Sequence, residues 1–384
     1  MTHSANLFLT YLFSTAFCVF WILTLLKNIR ILIALPLFED KRPAAPAAWP
    51  KLSVVVTARN EAAAIQPAID SLLNQDYANL QIILVNDRST DHTGEIVESI
   101  SRKDPRVTAL HITHLPENWL GKVHALYRGT KLVTGEWVLY TDADVCFQKD
   151  AIKKGVAFAL CQNFDHFTLI PRVVSRSFLF DVLLKTFGAF LLQAVHSLNF
   201  CGIGAFNLVR KSALDKTEGF RWLRMEVADD MGLGLLLYRS GAKAGYALSI
   251  RDVHLTWYSS VRSMVRGLEK NMFSIVKYRL SKFVLLFSLL WAVALGPLYL
   301  LLFPPHPIFF YAAVIGYFLF LTNAVIGKIR FAEKILPSLC VQGGLILLSL
   351  ILLRAAFLCT RRGGIFWRET FYSVRDLIAG QRLL

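Results

Sequence analysis

Apolar positions along the chain fall into two regimes: long uncharged runs near the ends and short strand-length runs between them. Residues 5–26 contain no charged side chain and are long enough to cross hydrocarbon, with Lys27 and Arg30 following. A secretory leader places its basic residues first, so this run reads as an anchor with the following chain in the cytosol. Residues 31–38 are apolar but too short to cross, which predicts an interfacial segment. A Pro/Ala linker then occupies 39–51. Toward the C-terminus, 283–303, 308–326 and about 335–353 read as membrane helices within 283–358, the last interrupted by Pro337 and Gly343-Gly344. Four spans are predicted. The uncharged connector 304–307 belongs outside and the basic 327–334 inside. Residues 258–282 read as an amphipathic interfacial helix and 359–384 as a basic tail.

The central region, 52–257, has another period. Short β-branched runs at 52–57, 80–85, 107–112 and 136–141 alternate with helical stretches at 62–73, 91–101 and 122–133. That alternation predicts a mainly parallel sheet with right-handed crossovers and a ligand beyond the carboxyl ends of its strands. One further stretch, 186–209, has no Asp, Glu, Lys or Arg, yet contains Gln193, His196, Ser197, Asn199 and Asn207. That polarity predicts an interfacial helix rather than a span.

Composition sharpens the picture. The 384 residues are 55% hydrophobic and only 18% charged, beyond the range of soluble domains. Of the net charge of +15, the segment from Ser259 onward carries 15 basic against 4 acidic residues. Basic excess beside apolar runs points to a lipid surface, and no nucleic-acid-binding pattern accompanies it. The six cysteines form no C-x-x-C pair, which favours reduced thiols on a cytosolic face.

Four polar motifs follow the apolar runs in order: Thr57-Ala58-Arg59-Asn60-Glu61, Asn86-Asp87, Asp142-Ala143-Asp144, and Asp229-Asp230. With them, the chain resembles a membrane-bound family-2 glycosyltransferase of GT-A fold, similar to ceramide glucosyltransferase-like and hopanoid- or carotenoid-associated enzymes. The resemblance covers about 52–245. It implies an α/β catalytic domain flanked by N- and C-terminal membrane helices, in a bacterial inner membrane. It also implies transfer of a sugar from a nucleotide-diphospho-sugar, most simply a UDP-sugar, to a hydroxyl of a membrane lipid or lipid-linked acceptor.

Such transfer needs a neutralised leaving group, and hard Mg²⁺ or Mn²⁺ takes carboxylate oxygens. The resemblance makes Asp144 the direct ligand, with Asp142 at the metal or the ribose. Asp87 matches the acid that meets the nucleotide base, while Thr57, Arg59 and Glu61 match the first-strand cradle. Lys122 opens a helix after a glycine and suits a phosphate. Asp230 matches the catalytic base and Asp229 its partner, although the family usually has Glu at the first place. The family's later (Gln/Arg)-x-x-Arg-Trp motif is absent; Arg262, Arg266 and Lys270 share one helical face there, and Arg266 is the donor-side candidate. Gly202, Gly204 and Trp257 are assigned to the acceptor side.

Two other classes are disfavoured. A sugar nucleotidyltransferase would want a glycine-rich loop where Thr57-Ala58-Arg59-Asn60-Glu61 stands. The other is a non-catalytic membrane scaffold or transporter: a transporter would place charges within its spans, and the four predicted runs hold none, while a scaffold would not need all four acidic motifs.

Overall fold

The computed structural model describes residues 2–175, 177–258 and 260–383. It separates into two compact units: one comprises Met1–Leu35, Ser175–Ser197 and Tyr258–Glu369, the other Pro36–Val174, Leu198–Trp257 and Thr370–Leu384.

The second unit is the α/β body. Strands β1 (Leu52–Ala58), β2 (Leu80–Asp87), β3 (Val107–Ile112) and β4 (Trp137–Asp142) are separated by α1 (Ile65–Leu73), α2 (Thr93–Lys103) and α3 (Gly121–Thr130). After β4 come β5 (Val145–Phe147), α4 (Ala151–Cys161), β6 (His166–Ile170), β7 (Arg172–Val173), β8 (Asn207–Arg210), α5 (Asp229–Arg239), β9 (Ala244–Leu248) and β10 (Val253–Leu255). Seven strands form one sheet in the order β3-β2-β1-β4-β8-β6-β9. Pairs among β1–β4 are parallel, and β8 runs antiparallel between β4 and β6. The run Val54-Val55-Val56 is buried on both faces, as a parallel strand covered by helices must be. Strand order reverses at β1, so the crevice opens between the ends of β1 and β4. Thr57 and Asp142 are register partners at that point. The smaller sheet runs β5-β10-β7.

The first unit is helical. Five helices are long and apolar enough to cross a membrane by length and composition: Leu7–Ala34, Phe178–Leu198, Leu280–Leu302, Pro307–Phe331 and Val341–Arg362. Their outward side chains are apolar, with Phe13 71%, Leu285 72% and Phe318 68% exposed, the inverse of a water-soluble bundle. The helix Val261–Met272 starts at a capping box between Ser260 and Ser263.

Several boundaries differ from the sequence reading. Residues 31–38 are not a separate interfacial piece. The first helix continues to Ala34, and Pro36 and Phe38 join β9 through hydrogen bonds with Leu248 of 2.9 and 2.8 Å. The 39–51 segment is more than a spacer. Glu39 is buried, its Oε1 accepting from Ser249 and from the backbone of Ile250, Arg251 and Asp252.

The stretch read as interfacial begins within Phe178–Leu198, which meets the same criteria as the other four helices. Its polar side chains find partners in its own unit: Gln193 bonds Asn28, Lys185 pairs with Glu333, and Asp181 meets Lys334 at 2.6 Å. Length and composition alone do not make it a span, because β6 before it and β8 after it pair within one sheet, which excludes a single crossing. The last apolar run shifts to Val341–Arg362 because the turn Ile335–Leu339 takes Pro337. Residues 370–384 are no simple tail. They supply a strand, Thr370–Ser373, and a helix, Val374–Gly380, to the α/β unit.

Candidate active site

The four motifs converge at the carboxyl ends of β1, β2 and β4. β4 ends at Asp142, and a turn through Ala143 and Asp144 leads into β5. Ala143 is buried, which anchors the turn and leaves the two acids on either side of it. Lys122, in the first turn of α3, reaches Asp142 Oδ1 at 2.8 Å and Asp229 Oδ2 at 3.4 Å. Burial alone would lower its ammonium's affinity for a proton. Asp142, Asp229 and Asp230 outweigh that and hold it well above the ordinary lysine range. Lys122 is thus the positive centre of an acidic cluster.

Asp144 is the counterpart. Burial, reinforced by the charges of Asp142 and Glu61, raises its carboxyl to about 7. Three carboxyl groups whose mutual repulsion resists ionisation are a donor set that a divalent cation relieves. Among the described residues no group of three or more His, Cys, Asp or Glu is arranged to hold a metal ion by itself. Two carboxylates with substrate phosphates completing the shell is the usual arrangement for Mg²⁺, so Asp144 and Asp142 fit such an ion.

Asp229 and Asp230 open α5, where the helix N-terminus favours negative charge. Asp230 is fixed from two sides: Gly204 N–H donates to its Oδ2 at 2.9 Å and Met231 N–H to its Oδ1 at 2.8 Å. Gly204 also leaves no room for a side chain, since a Cβ there would lie 2.7 Å from Asp142 Oδ2. A Cβ on Gly202 would meet the Asp230 carbonyl oxygen at 1.8 Å. Both glycines were assigned to the acceptor side; here they seat the acidic pair and Asp142 against the 202–205 segment.

The remaining donor-side candidates occupy neighbouring loops. Asp87, buried at the end of β2, holds Arg88 through two hydrogen bonds of 2.7 and 3.0 Å. The loop after β1 is latched to the one after β2: Glu61 N–H donates to Thr93 Oγ1 at 2.8 Å, and Asn60 Oδ1 accepts from Thr90 N–H at 2.8 Å. These bonds fix the loop that carries Arg59 and Glu61 after Thr57. Trp257 packs against the sheet core. Arg266 lies on Val261–Met272, in the helical unit.

Three residues at the site had no sequence assignment. Arg88 directly follows the Asn86-Asp87 motif and was legible as Asp87's neighbour. Glu226 is buried, and burial raises its carboxyl although backbone N–H groups of Arg382, Leu383 and Ala228 pull it down. Tyr372 accepts a hydrogen bond from Gly121 N–H at 3.2 Å. Nothing local marks Glu226 or Tyr372.

A small cavity of about 10 Å³ is lined by Lys122, Asp142, Asp229, Asp230, Gly204 and Tyr140, among others. A larger cleft, about 950 Å³, lies between the 39–49 segment, α4 and β10; none of the four motifs lines it. Size does not locate the chemistry here, whereas the converging carboxylates do.

This arrangement, a seven-stranded sheet with acids at a strand-order reversal, is that of a GT-A-like α/β body. Residues 53–232 match the family described as Glycosyl transferase family 2, and the chain carries a family-2 glycosyltransferase domain. It is 34% identical over 112 residues to glycosyltransferase GlyG of Streptococcus pneumoniae, covering 29% of this chain and 34% of that protein. It is 26% identical over 249 residues to the probable glycosyltransferase YdaM of Bacillus subtilis, covering 60% of this chain and 57% of that one. The chain thus spans about a third to a little over half of these relatives' length. The mannosyltransferase PcManGT of Pyrobaculum calidifontis, solved with GDP-Man and Mn²⁺, shares the fold at a TM-score of 0.54 and 17% identity, over 88% of this chain and 97% of that one.

Proposed function

We propose that the protein is a membrane-anchored, inverting glycosyltransferase that moves a sugar from a nucleotide-diphospho-sugar to a hydroxyl of a lipid or lipid-linked acceptor. The observation that carries this reading is the Lys122 ammonium held between Asp142 and Asp229, beside a separately anchored Asp230. The first three groups carry one positive charge against two negative, so a diphosphate would sit there together with a divalent cation; the fourth is a carboxylate with a fixed place.

Asp144 and Asp142 would hold a divalent cation, Mg²⁺ or Mn²⁺, which supplies neutralisation of the charge developing on the departing diphosphate. Lys122 adds a second cation on the donor side, where charge-assisted bonds to phosphate are strong. The cradle Thr57, Arg59 and Glu61, with Asp87, takes the nucleoside. Asp230 accepts the acceptor hydroxyl's proton as that oxygen attacks the anomeric carbon. Attack opposite the leaving nucleotide inverts the configuration there. The hydrogen bonds from Gly204 and Met231 fix the base, so little reorganisation accompanies proton transfer.

The GDP-Man and Mn²⁺ held by the similarly folded mannosyltransferase of Pyrobaculum calidifontis support a nucleotide-sugar donor and a metal. Five helices of membrane length on the same chain support an acceptor drawn from the bilayer, with the α/β unit on the cytosolic side. The test is a panel of nucleotide sugars in detergent with and without Mn²⁺, read by thermal shift. Selective, Mn²⁺-dependent stabilisation by one nucleotide is expected. Absence of stabilisation by every nucleotide sugar would overturn the donor assignment.

A further inference from the structure

The basic C-terminal residues carry a connection that the motifs do not contain. At one end, Tyr372, only 8% exposed, accepts the hydrogen bond of Gly121 N–H, the residue before Lys122. A Cβ on Gly121 would stand 2.7 Å from Asp87 Oδ2 and 2.5 Å from Arg88 Nη2, so this backbone lies directly against the Asp87–Arg88 pair. At the other end, Glu226 Oε2 accepts from Arg382 N–H at 2.6 Å and from Leu383 N–H at 3.0 Å. Glu226 Oε1 accepts from Ala228 N–H at 3.2 Å, the residue immediately before Asp229.

Further contacts close the ring. The Arg382 guanidinium donates from Nε to Trp222 O at 3.0 Å and lies 5.3 Å from that indole's centroid. A Cβ on Gly380 would meet Met225 Cβ at 2.2 Å, so the helix end and the loop are in direct contact. Leu120 N–H donates to Arg224 O at 2.8 Å, tying the loop before Lys122 to the loop before the acidic pair. Leu377, 1% exposed, anchors the intervening helix.

We propose that residues 370–383 form a strap that sets the places of Lys122 and of Asp229-Asp230, with Tyr372 and Glu226 as positioning residues for transfer. The inference rests on the glycosyltransferase reading above. One end of the strap holds the backbone that carries the cluster's cation, and the other holds the turn that delivers the proposed base. Neither residue touches the reacting atoms. A shift of either end misplaces groups whose separation sets the rate, while the sheet that binds the nucleotide stays intact.

The test uses the full-length protein in detergent or nanodiscs, with Tyr372→Phe and Glu226→Gln compared with the parent. Tyr372→Phe deletes one oxygen, and Glu226→Gln keeps shape but turns an amide NH₂ or a lone carbonyl toward two N–H donors. The strap predicts that each variant loses about tenfold in kcat while donor KM and melting temperature stay close to the parent. It also predicts faster amide hydrogen exchange over 119–124 in Tyr372→Phe and over 222–232 in Glu226→Gln. Unchanged exchange in both variants would overturn it. So would kcat within about twofold of the parent in both, or losses that merely follow the folded fraction. Exchange does not depend on turnover, so a parent that transfers no sugar would defeat the transferase reading and leave the exchange result standing.

Discussion

A side chain cannot exist at Gly202 without moving Asp230: a Cβ there would stand 1.8 Å from the Asp230 carbonyl oxygen. The segment carrying Gly202 therefore approaches the start of α5 at backbone distance, and the same segment's Gly204 N–H holds the Asp230 carboxylate. Gly202→Ala should cost stability on the order of 1–3 kcal/mol by overpacking and should lower turnover by tenfold or more, about the effect of a misplaced base. Melting temperature and kcat measured together check this. A fully active Gly202→Ala protein would contradict the seat described for Asp230.

Lys122 compensates three carboxylates. Replacing it with Met leaves Asp142 and Asp229 facing each other without their cation. Donor affinity should fall by about tenfold or more, the worth of one charge-assisted hydrogen bond. Isothermal calorimetry with the nucleoside diphosphate reads it. Lys122→Arg should recover only part of the loss, because a guanidinium cannot fill the place of a compact ammonium.

Asp144→Asn removes one of two carboxylates from the proposed cation site. The Mn²⁺ concentration that half-saturates nucleotide binding should rise by at least tenfold, with binding in the absence of metal unchanged. A Mn²⁺ titration of nucleotide binding decides the point. An unshifted midpoint would take Asp144 out of the metal role.

How far these features were legible follows from their range in sequence. β1 to β4 announced themselves as β-branched runs with Asp87, Asp142 and Asp144 at or just past the ends of β2 and β4, and the Asp229-Asp230 pair was readable as the fourth motif of the resemblance. Lys122 was readable as a helix-opening cation, but its partners were not, because Asp229 lies more than a hundred residues downstream. Gly202 and Gly204 were assigned to the acceptor side, and nothing local showed that the start of α5 lies against them. Gly121 and Tyr372 are 251 residues apart and meet through one hydroxyl. No periodicity encodes such a contact. The Phe178–Leu198 helix shows the same limit: the polarity of Gln193 was legible, whereas its partner Asn28 and the pairing of the strands on either side of the helix were not.

His166 gives the α/β unit a pH signature. It is fully buried, and burial lowers its imidazole to about 4 although the bond to Asn207 raises it. In the unfolded chain it titrates near 6.5. Between those values the unfolded state binds a proton that the folded state refuses, so stability is full above about 6.5 and falls as pH drops toward 4. The loss amounts to roughly 3 kcal/mol for this one group. Denaturation followed at stepped pH should show that slope in the parent, and His166→Gln should flatten it. An equal slope in both proteins would assign the acid sensitivity elsewhere.

The most direct test of the proposed function is transfer of radiolabelled sugar in membranes, comparing the parent with Asp230→Asn in one assay that also measures donor binding. The parent should move label into the organic extract. Asp230→Asn should lose turnover by about 10²-fold or more, as expected for a missing general base, while binding donor and metal as the parent does. Undiminished transfer by Asp230→Asn, or no transfer by the parent from any nucleotide sugar, would contradict it.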